Sequence, residues 1–489
     1  MMNIREYLST NPRIHKFSVA PTFWGKVKFE CIKALFKTLP FGGRLYVDAP
    51  QNLNFYFELL FSYLKKEFGM HVGNTISVLG IGSKGYKGNV LVEVDIDGKK
   101  EVIKGHGSSF ESQDEALSKA VGEFLERYSS AVPSPDDAVL IRSGEVEHFL
   151  RNTVHVRQFH SYSKEQIAAN SRLSFRSTGK MKLLPMEHLM SGKKVWYPLQ
   201  QIFWHQNALQ RKEGFFSYAT TSGCAGGFTV EEATLFAFYE LIERDAFMCH
   251  WLTKSSPKKV VLEKGVFPAY DDFSTLIDVS GFEVHILDTT TNTGIPSALC
   301  VVRGKDGVQL CVAGGARATL MEAIEVAFGE MMSCVALLRS EQKFSLPPTY
   351  VPFTTTGIHR DERIRLWAHA QDTSAAHFLL DGETVAIHHA NVHEYRSAVS
   401  VEKKDELKHC LSMLARAGES YSHVYRYLFR SPRVEALGFF VVRVIIPMLY
   451  PLYLSENHAF TESARLCDFA RWKHGTEQFE INTTVHPFP

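Results

Sequence analysis

Thr220 opens the run TTSGCAGGFTVEEATLFAFYELIERDAFMCHW, which closes at Trp251. It begins with a small-residue loop, Gly223-Cys224-Ala225-Gly226-Gly227. Thr229 follows, with Glu232 three residues on, the capping-box spacing that marks a helix N-terminus. Behind the cap, Ala233, Phe236, Ala237, Leu241 and Phe247 form an apolar run with few breaks. Set among them are Glu240, Glu243, Arg244 and Asp245. A helix this apolar is expected to be buried, and a buried carboxylate without a partner is costly or takes up a proton. A cation must therefore stand beside these acids, supplied by a side chain or a metal.

The pattern occurs three times. Ser112 and Glu115 form a capping box followed by Ala116, Ala120, Glu123, Glu126 and Arg127. Thr319 and Glu322 form another, followed by Ala323, Ala327 and Glu330. The cap precedes the first acid by 11 residues each time: 112 to 123, 229 to 240 and 319 to 330. The third copy stops there, with Ser333 and Cys334 where the others have Glu and Arg. Each copy follows two glycines: Gly105 and Gly107, Gly226 and Gly227, Gly314 and Gly315.

At about 100° per residue, Glu123 and Glu126 lie about 60° apart on a helix, with Arg127 about 40° beyond Glu123. Each E-x-x-E-R piece thus presents two carboxylates and a guanidinium along one edge. Two such helices face to face bring four carboxylates together, and Glu330 adds a fifth. Oxygen ligands of this kind suit Mg²⁺, which is held by a few carboxylates plus substrate phosphates. Glycine loops at helix N-termini offer N–H groups to an anion. Metal and phosphate together point to a nucleoside triphosphate. A lone Glu-Arg pair four residues apart reads as a surface ion pair; three copies in register behind glycines do not.

SGCAGGFTVEEATLFAFYELIERD resembles the signature of the YcaO family, a small-residue loop followed by E-A and E-x-x-E-R. EALSKAVGEFLER is similar to that family's earlier motif and EAIEVAFGE to its third. The closing VHPFP, residues 485–489, resembles the proline-rich end of azoline-forming members. The resemblance runs from about residue 76 to 489, leaving 1–75 as a lead-in region ahead of a YcaO domain. It implies an α/β (α+β) fold, mixed sheets packed with three Glu-bearing helices around a nucleotide pocket.

The rest of the chain fits an α+β body. Strand-like pieces occur at 195–199, 282–287, 298–302 and 439–446, with a helix expected over 405–417. Residues 75–102 read as a hairpin turning at Asp97-Gly98, with Ser83, Lys84 and Lys87 in its glycine-rich arm. The lead-in carries a basic amphipathic stretch at 24–39 and a helical pattern at 54–68. Residues 339–363 read as a polar loop. His388, His389 and His393 lack helix or strand periodicity and make a poor metal site.

The bulk properties exclude several classes. With 489 residues, 45% of them hydrophobic, and formal net charge +1, the chain is no disordered tail and has no basic field for nucleic acid. Eight cysteines without a CxxC pair read as reduced thiols of a cytoplasmic protein. The apolar run at 437–453 is broken by Arg443, Pro447 and Pro451, so no membrane span is expected.

The resemblance implies an ATP- and Mg²⁺-dependent cyclodehydratase acting on a ribosomal precursor peptide. A Cys, Ser or Thr side chain attacks the preceding amide carbonyl, the oxygen is phosphorylated, and a thiazoline or oxazoline remains. Carried over residue by residue, Glu123, Glu126, Glu240, Glu243 and Glu330 match the metal positions. Arg127, Arg244 and Glu232 match the nucleotide-site motif, Ser222, Gly223, Gly226 and Lys84 are further candidates for phosphate contact, a plain turn being the simpler reading of Lys84, and the carboxylate of Pro489 is the expected catalytic base. His106, Phe228 and Val326 depart from the pattern: relatives often carry a lysine, a polar residue and an arginine there. The short lead-in implies a separate ThiF-like leader-binding partner and an oligomeric synthetase complex, with a flavin-dependent azoline dehydrogenase as a further partner. Thioamide or amidine formation, or a peptide-binding scaffold without catalysis, are the alternatives.

Overall fold

The computed structural model of the chain describes residue 64 and residues 67–489, apart from 80–82, 97–98, 110–112, 132–138, 142–144, 146–152, 175–179, 205–215, 336–337, 339–341 and 397–401. The basic stretch at 24–39, most of the helical pattern at 54–68, the Asp97-Gly98 turn, the Ser112 cap and Cys31 lie outside the described residues. The principal helices are α1 (Gln113–Ala131), α2 (Val230–Leu252), α3 (Pro268–Val279), α4 (Leu320–Cys334), α5 (Arg360–Ala368), α6 (Lys403–Ala417) and α7 (Ala464–His474).

Three sheets carry them. The first is antiparallel, β1 (His71–Leu79), β2 (Ser83–Ile96) and β3 (Lys99–Ser109) in that order. The expected hairpin is thus two of three strands, because the glycine-rich arm from Ser83 pairs on both sides. The second sheet runs β4 (Val139–Ile141), β6 (Met181–His188), β14 (Tyr425–Phe429), β15 (Phe440–Ile445) and β8 (Cys224–Gly227), with β7 (Lys194–Pro198) also on β6. The third runs β12 (Leu310–Ala316), β11 (Ser297–Gly304), β10 (Phe282–Asp288), β9 (Lys258–Leu262) and β13 (Thr384–Ile387). Only β13 in it is parallel to its neighbour. A small pair joins β5 (His160–Ser161) to β16 (Glu462–Ser463).

Helix α2 lies between the second and third sheets, touching β8 and β15 on one side and β11 and β12 on the other. That position explains its apolar sequence: 15 of its 23 residues are buried. Thr229 caps it, its hydroxyl accepting the Glu232 N–H at 3.0 Å. Thr319 caps α4 in the same way, at 3.2 Å from the Glu322 N–H.

The third sheet is buried on both faces, and side-chain alternation sorts its residues. Leu299, Val301, Leu310 and Val312 join Phe247, Met248 and Trp251 of α2 in one core. Ala298, Cys300, Val302, Cys311 and Ala313 join Met321, Ile324, Ala327 and Phe328 of α4 in another.

This alternation gives the paired glycines a physical reason. All lie in strands, so the expected glycine loops are corrected: of 223–227, Gly223 alone precedes β8. A Cβ on Gly105 or Gly107 would lie 2.0 Å from Ala120 O or Ala116 O of α1. One on Gly227 would lie 2.7 Å from Ala233 N, and one on Gly315 2.4 Å from Ala323 O. Glycine on the strand and alanine on the helix let each acidic helix sit close on the strand before it. Gly314, one residue earlier, faces α2 instead.

One further correction concerns a loop region, while the reading of the cysteines as unpaired thiols holds for the described residues. The polar loop expected to residue 363 ends in α5, and Arg363 is fully buried. All seven described cysteines are free, and six of them are buried.

Candidate active site

The first acid of each E-x-x-E-R piece is tied down by its own helix and the preceding strand or turn. Glu123 pairs with Arg127 at 2.6 Å and accepts the His106 N–H of β3. Glu240 pairs with Arg244 at 2.8 Å and accepts the Gly223 N–H at 2.6 Å. Arg127 also donates to Lys104 O at 2.9 Å, and Arg244 to the Ser222 hydroxyl. Gly223 takes φ +80°, the left-handed region open to glycine, which aims its N–H at Glu240. These two Glu-Arg pairs are the cations that the sequence demanded.

The second acids have no such partner. Neither the Glu126 nor the Glu243 carboxylate makes a hydrogen bond or ion pair with a described residue, and the Glu330 carboxylate of α4 makes none either. Burial, reinforced by the Glu240 and Glu123 carboxylates, pushes Glu126 well above the usual carboxylate range. Burial pushes Glu243 up to about 8; Arg244 opposes the rise while Glu240 and Glu330 add to it. Burial also raises Glu330, with Lys119 opposing and Glu123 adding. Glu330 is accessible to solvent although protein atoms crowd it, and that crowding is the source of the desolvation that raises it. Each of these carboxylates is within electrostatic reach of an acid on another of the three helices: Glu126 of Glu240, Glu243 of Glu330, and Glu330 of Glu123.

The chain's last residues come close to Glu243. Asn482 ties them to the end of α2, its N–H donating to Leu252 O at 2.8 Å and its side-chain amide to Trp251 O at 3.1 Å. Val485, His486, Pro487 and Phe488 are buried, and Pro489 is partly exposed. The Phe488 ring packs on Phe247, one turn beyond Glu243, with centroids 4.6 Å apart. A Cβ on Gly314 would lie 2.8 Å from Glu243 Cγ and 2.9 Å from Phe488 Cε2. The space left by Gly314 is therefore filled jointly by an acid of α2 and the ring before Pro489.

The other residues expected at the site are scattered more widely. Glu232 caps α2, accepting the Phe228 N–H at 2.9 Å, two turns before Glu240. Gly226 lies in β8, where a Cβ would lie 2.2 Å from the Phe439 ring. Lys84 lies in β2 opposite Val78.

The departures have local explanations. Phe228 packs edge-on against Phe439, and Val326 fills the space beside Gly315. Burial lowers His106, whose ring Nδ1 lies 2.8 Å from Asn89 Oδ1.

Sequence reasoning missed three groups. Arg465 of α7 holds the buried Asp245 with a bidentate contact, the shortest distance being 2.6 Å. Arg443 of β15 donates to Thr220 O at 2.6 Å and so braces the turn before β8. Arg317 lies over the Phe236 and Tyr239 rings of α2, within electrostatic reach of Glu243. None of the three had a sequence signal, since each acts on residues far away along the chain or through tertiary packing.

Among the described residues, no three His, Cys, Asp or Glu groups converge tightly enough to ligate an ion alone. This suits Mg²⁺, which takes one or two carboxylates and completes its shell with water and phosphate oxygens. Glu126, Glu243 and Glu330, whose carboxylates have no hydrogen-bond or ion-pair partner among the described residues, could each contribute an oxygen to such a shell.

The family model that matches, described as YcaO cyclodehydratase, ATP- and Mg²⁺-binding, spans residues 105–450. The match takes in more than two thirds of the chain and all three acidic helices. The chain belongs to the YcaO cyclodehydratase family. Membership sets it among enzymes whose cofactors are ATP and Mg²⁺. Comparison with curated protein sequences gives no significant match. Among solved structures, a heterocyclase in complex with substrate and cofactor is similar at TM-score 0.64 and 18% identity over 87% of this chain. The heterocyclase TruD is similar at 0.59 and 20% over 77%. The YcaO protein of Methanopyrus kandleri, bound with AMPPCP and Mg²⁺, is similar at 0.54 and 14%, covering 83% of this chain and 92% of that one. The chain spans 57% and 51% of the two heterocyclases. These likenesses establish the mixed α/β fold as YcaO-type. No described helix is long and apolar enough to cross a membrane.

Proposed function

We propose that this YcaO chain cyclodehydrates Cys, Ser or Thr residues of a ribosomal precursor peptide to thiazoline or oxazoline rings. The observation that carries the reading is that unpaired Glu126, Glu243 and Glu330, on three helices, each feel an acid on another of those helices, in a family described as ATP- and Mg²⁺-binding. In this reading Glu126, Glu243 and Glu330 hold Mg²⁺, while Glu123 and Glu240 keep Arg127 and Arg244 in place beside the phosphates. Ser222 and Gly223 hold the turn that faces them. Lys84, Gly226 and Glu232 are assigned to the nucleotide site on resemblance.

Bound Mg²⁺-ATP supplies the phosphoryl group that turns the amide oxygen into a leaving group. The chain's part is to neutralise and orient, as phosphoryl transfer mostly requires. The substrate's side-chain sulfur or oxygen bonds to the preceding carbonyl carbon. The carboxylate of Pro489 takes the proton of that nucleophile. The carbonyl oxygen would leave as phosphate while the amide nitrogen gives up its proton and the C=N bond of the ring forms, so the peptide loses the elements of water and ATP becomes ADP and phosphate. In this scheme a ThiF-like partner presents the leader peptide, and a flavin-dependent dehydrogenase acts later on the rings.

The test is to weigh a precursor peptide, encoded beside this chain, after incubation with the chain, its partner and Mg²⁺-ATP. Loss of one water per ring supports the reading. Replacement of oxygen by sulfur favours thioamide formation, and an unchanged mass with ATP intact favours a scaffold.

A further inference from the structure

The backbone of residues 482–489 is held by two tryptophans. The indole N–H of Trp251, on α2, donates to Thr484 O at 3.1 Å. The indole N–H of Trp367, on α5, donates to Val485 O at 2.8 Å. Both rings are buried, and they pack edge to face with centroids 5.8 Å apart. The carbonyls of two consecutive residues are thus gripped by two donors that are themselves locked together. An indole has a single donor and no acceptor, so each grip fixes one carbonyl and no other.

Around this grip the tail is threaded in one register. Asn482 joins it to the end of α2 below, and His486 reaches Tyr453 O at 3.3 Å above. On α2, Glu243, Phe247 and Trp251 follow one another at intervals of four residues, hence along one face. Trp251 holds the tail, Phe247 carries the Phe488 ring, and Glu243 meets that ring across Gly314. A slip of one residue would take Phe488 out of the space beside Glu243.

We propose that Trp251 and Trp367 are positioning residues, an indole clamp that sets the register of residues 482–489 and so places Phe488 and Pro489 against Glu243. Its catalytic consequence rests on the reading of Pro489 as base; its structural consequence does not.

The experiment compares wild type with Trp367→Phe, which keeps an aromatic ring and removes the N–H. In wild type, both indole N–H protons should be strongly protected from hydrogen exchange; rapid exchange of either overturns the clamp. In Trp367→Phe, backbone amides of 482–489 should exchange at least roughly tenfold faster. Turnover should fall roughly tenfold, the order expected for one lost buried hydrogen bond, while KM for Mg²⁺-ATP stays unchanged. Deleting residues 487–489 should remove any further effect of Trp367→Phe, since both act through one segment. Unchanged amide exchange, or an undiminished effect of Trp367→Phe in the truncated chain, contradicts the proposal. Trp251→Phe is the second variant if the first does not fold. If the truncated chain keeps full activity while Trp367→Phe still speeds exchange, the assignment of Pro489 as base fails and the clamp stands.

Discussion

Glu243 and its neighbours carry the chemistry at the scale of single residues. The folded chain holds Glu243 near 8, above the ordinary carboxylate value. The folded state therefore binds a proton that the unfolded state releases between about pH 4.5 and 8. Stability from this group is greatest below that window and is lost as pH rises through it. Mg²⁺ displaces the same proton, so Mg²⁺-nucleotide affinity should rise with pH up to about 8, by up to about tenfold per unit. Calorimetry in buffers of different ionisation enthalpy should detect proton release near pH 7; its absence would contradict the shift.

Removing the charge should separate stability from activity. Glu243→Gln should stabilise the nucleotide-free fold by on the order of 1–3 kcal/mol at pH 7, read as a higher melting temperature, while cyclisation falls by at least about 100-fold. Gly314 and Gly315 divide in the same way. Gly315→Ala pushes on the Ala323 carbonyl of α4 and should cost about 1–3 kcal/mol in denaturant titrations. Gly314→Ala pushes on Glu243 and Phe488, movable side chains, and should lower turnover more than stability.

At the scale of elements, α2 was legible. Thr229 and Glu232 announced its start, and its apolar sequence announced the burial that two flanking sheets provide. The acids in α1, α2 and α4 were legible too, because their spacing is local. The glycines were misread as loops, since glycine punctuates turns more often than strands. Their true reason, an alanine of the next helix or a ring on one sheet face, needs the strand's partner faces to be known. Asp245 was recognised as an acid that needs a cation, but its partner Arg465 lies 220 positions on. Arg465→Met should leave Asp245 buried and unpaired and destabilise the chain by about 3–5 kcal/mol. An equal loss for the exposed Arg471→Ala in the same melts would remove burial as the cause.

For the whole molecule, what matters is that three strand-helix units from three distant parts of the chain carry acids within electrostatic reach of one another. The first unit rests on its own three-stranded sheet, and the others lie on the two sheets flanking α2. Repetition in the sequence hinted at this arrangement, yet the second acids are set apart from the first only in three dimensions. There, Glu123 and Glu240 are satisfied by arginine and backbone N–H, whereas the carboxylates of Glu126, Glu243 and Glu330 have no partner among the described residues and, in the proposed reading, take a cation. The end of the chain, expected to approach this site on resemblance alone, does so through contacts to Trp251, Trp367 and Phe247 that no local pattern encodes.

The most direct measurement is the affinity of Mg²⁺ with a non-hydrolysable ATP analogue, by calorimetry, for wild type and for Glu126→Gln, Glu243→Gln and Glu330→Gln. Each substitution should weaken binding at least about tenfold with the fold intact by circular dichroism. Wild-type affinity in all three variants would contradict a shared cation site built from α1, α2 and α4.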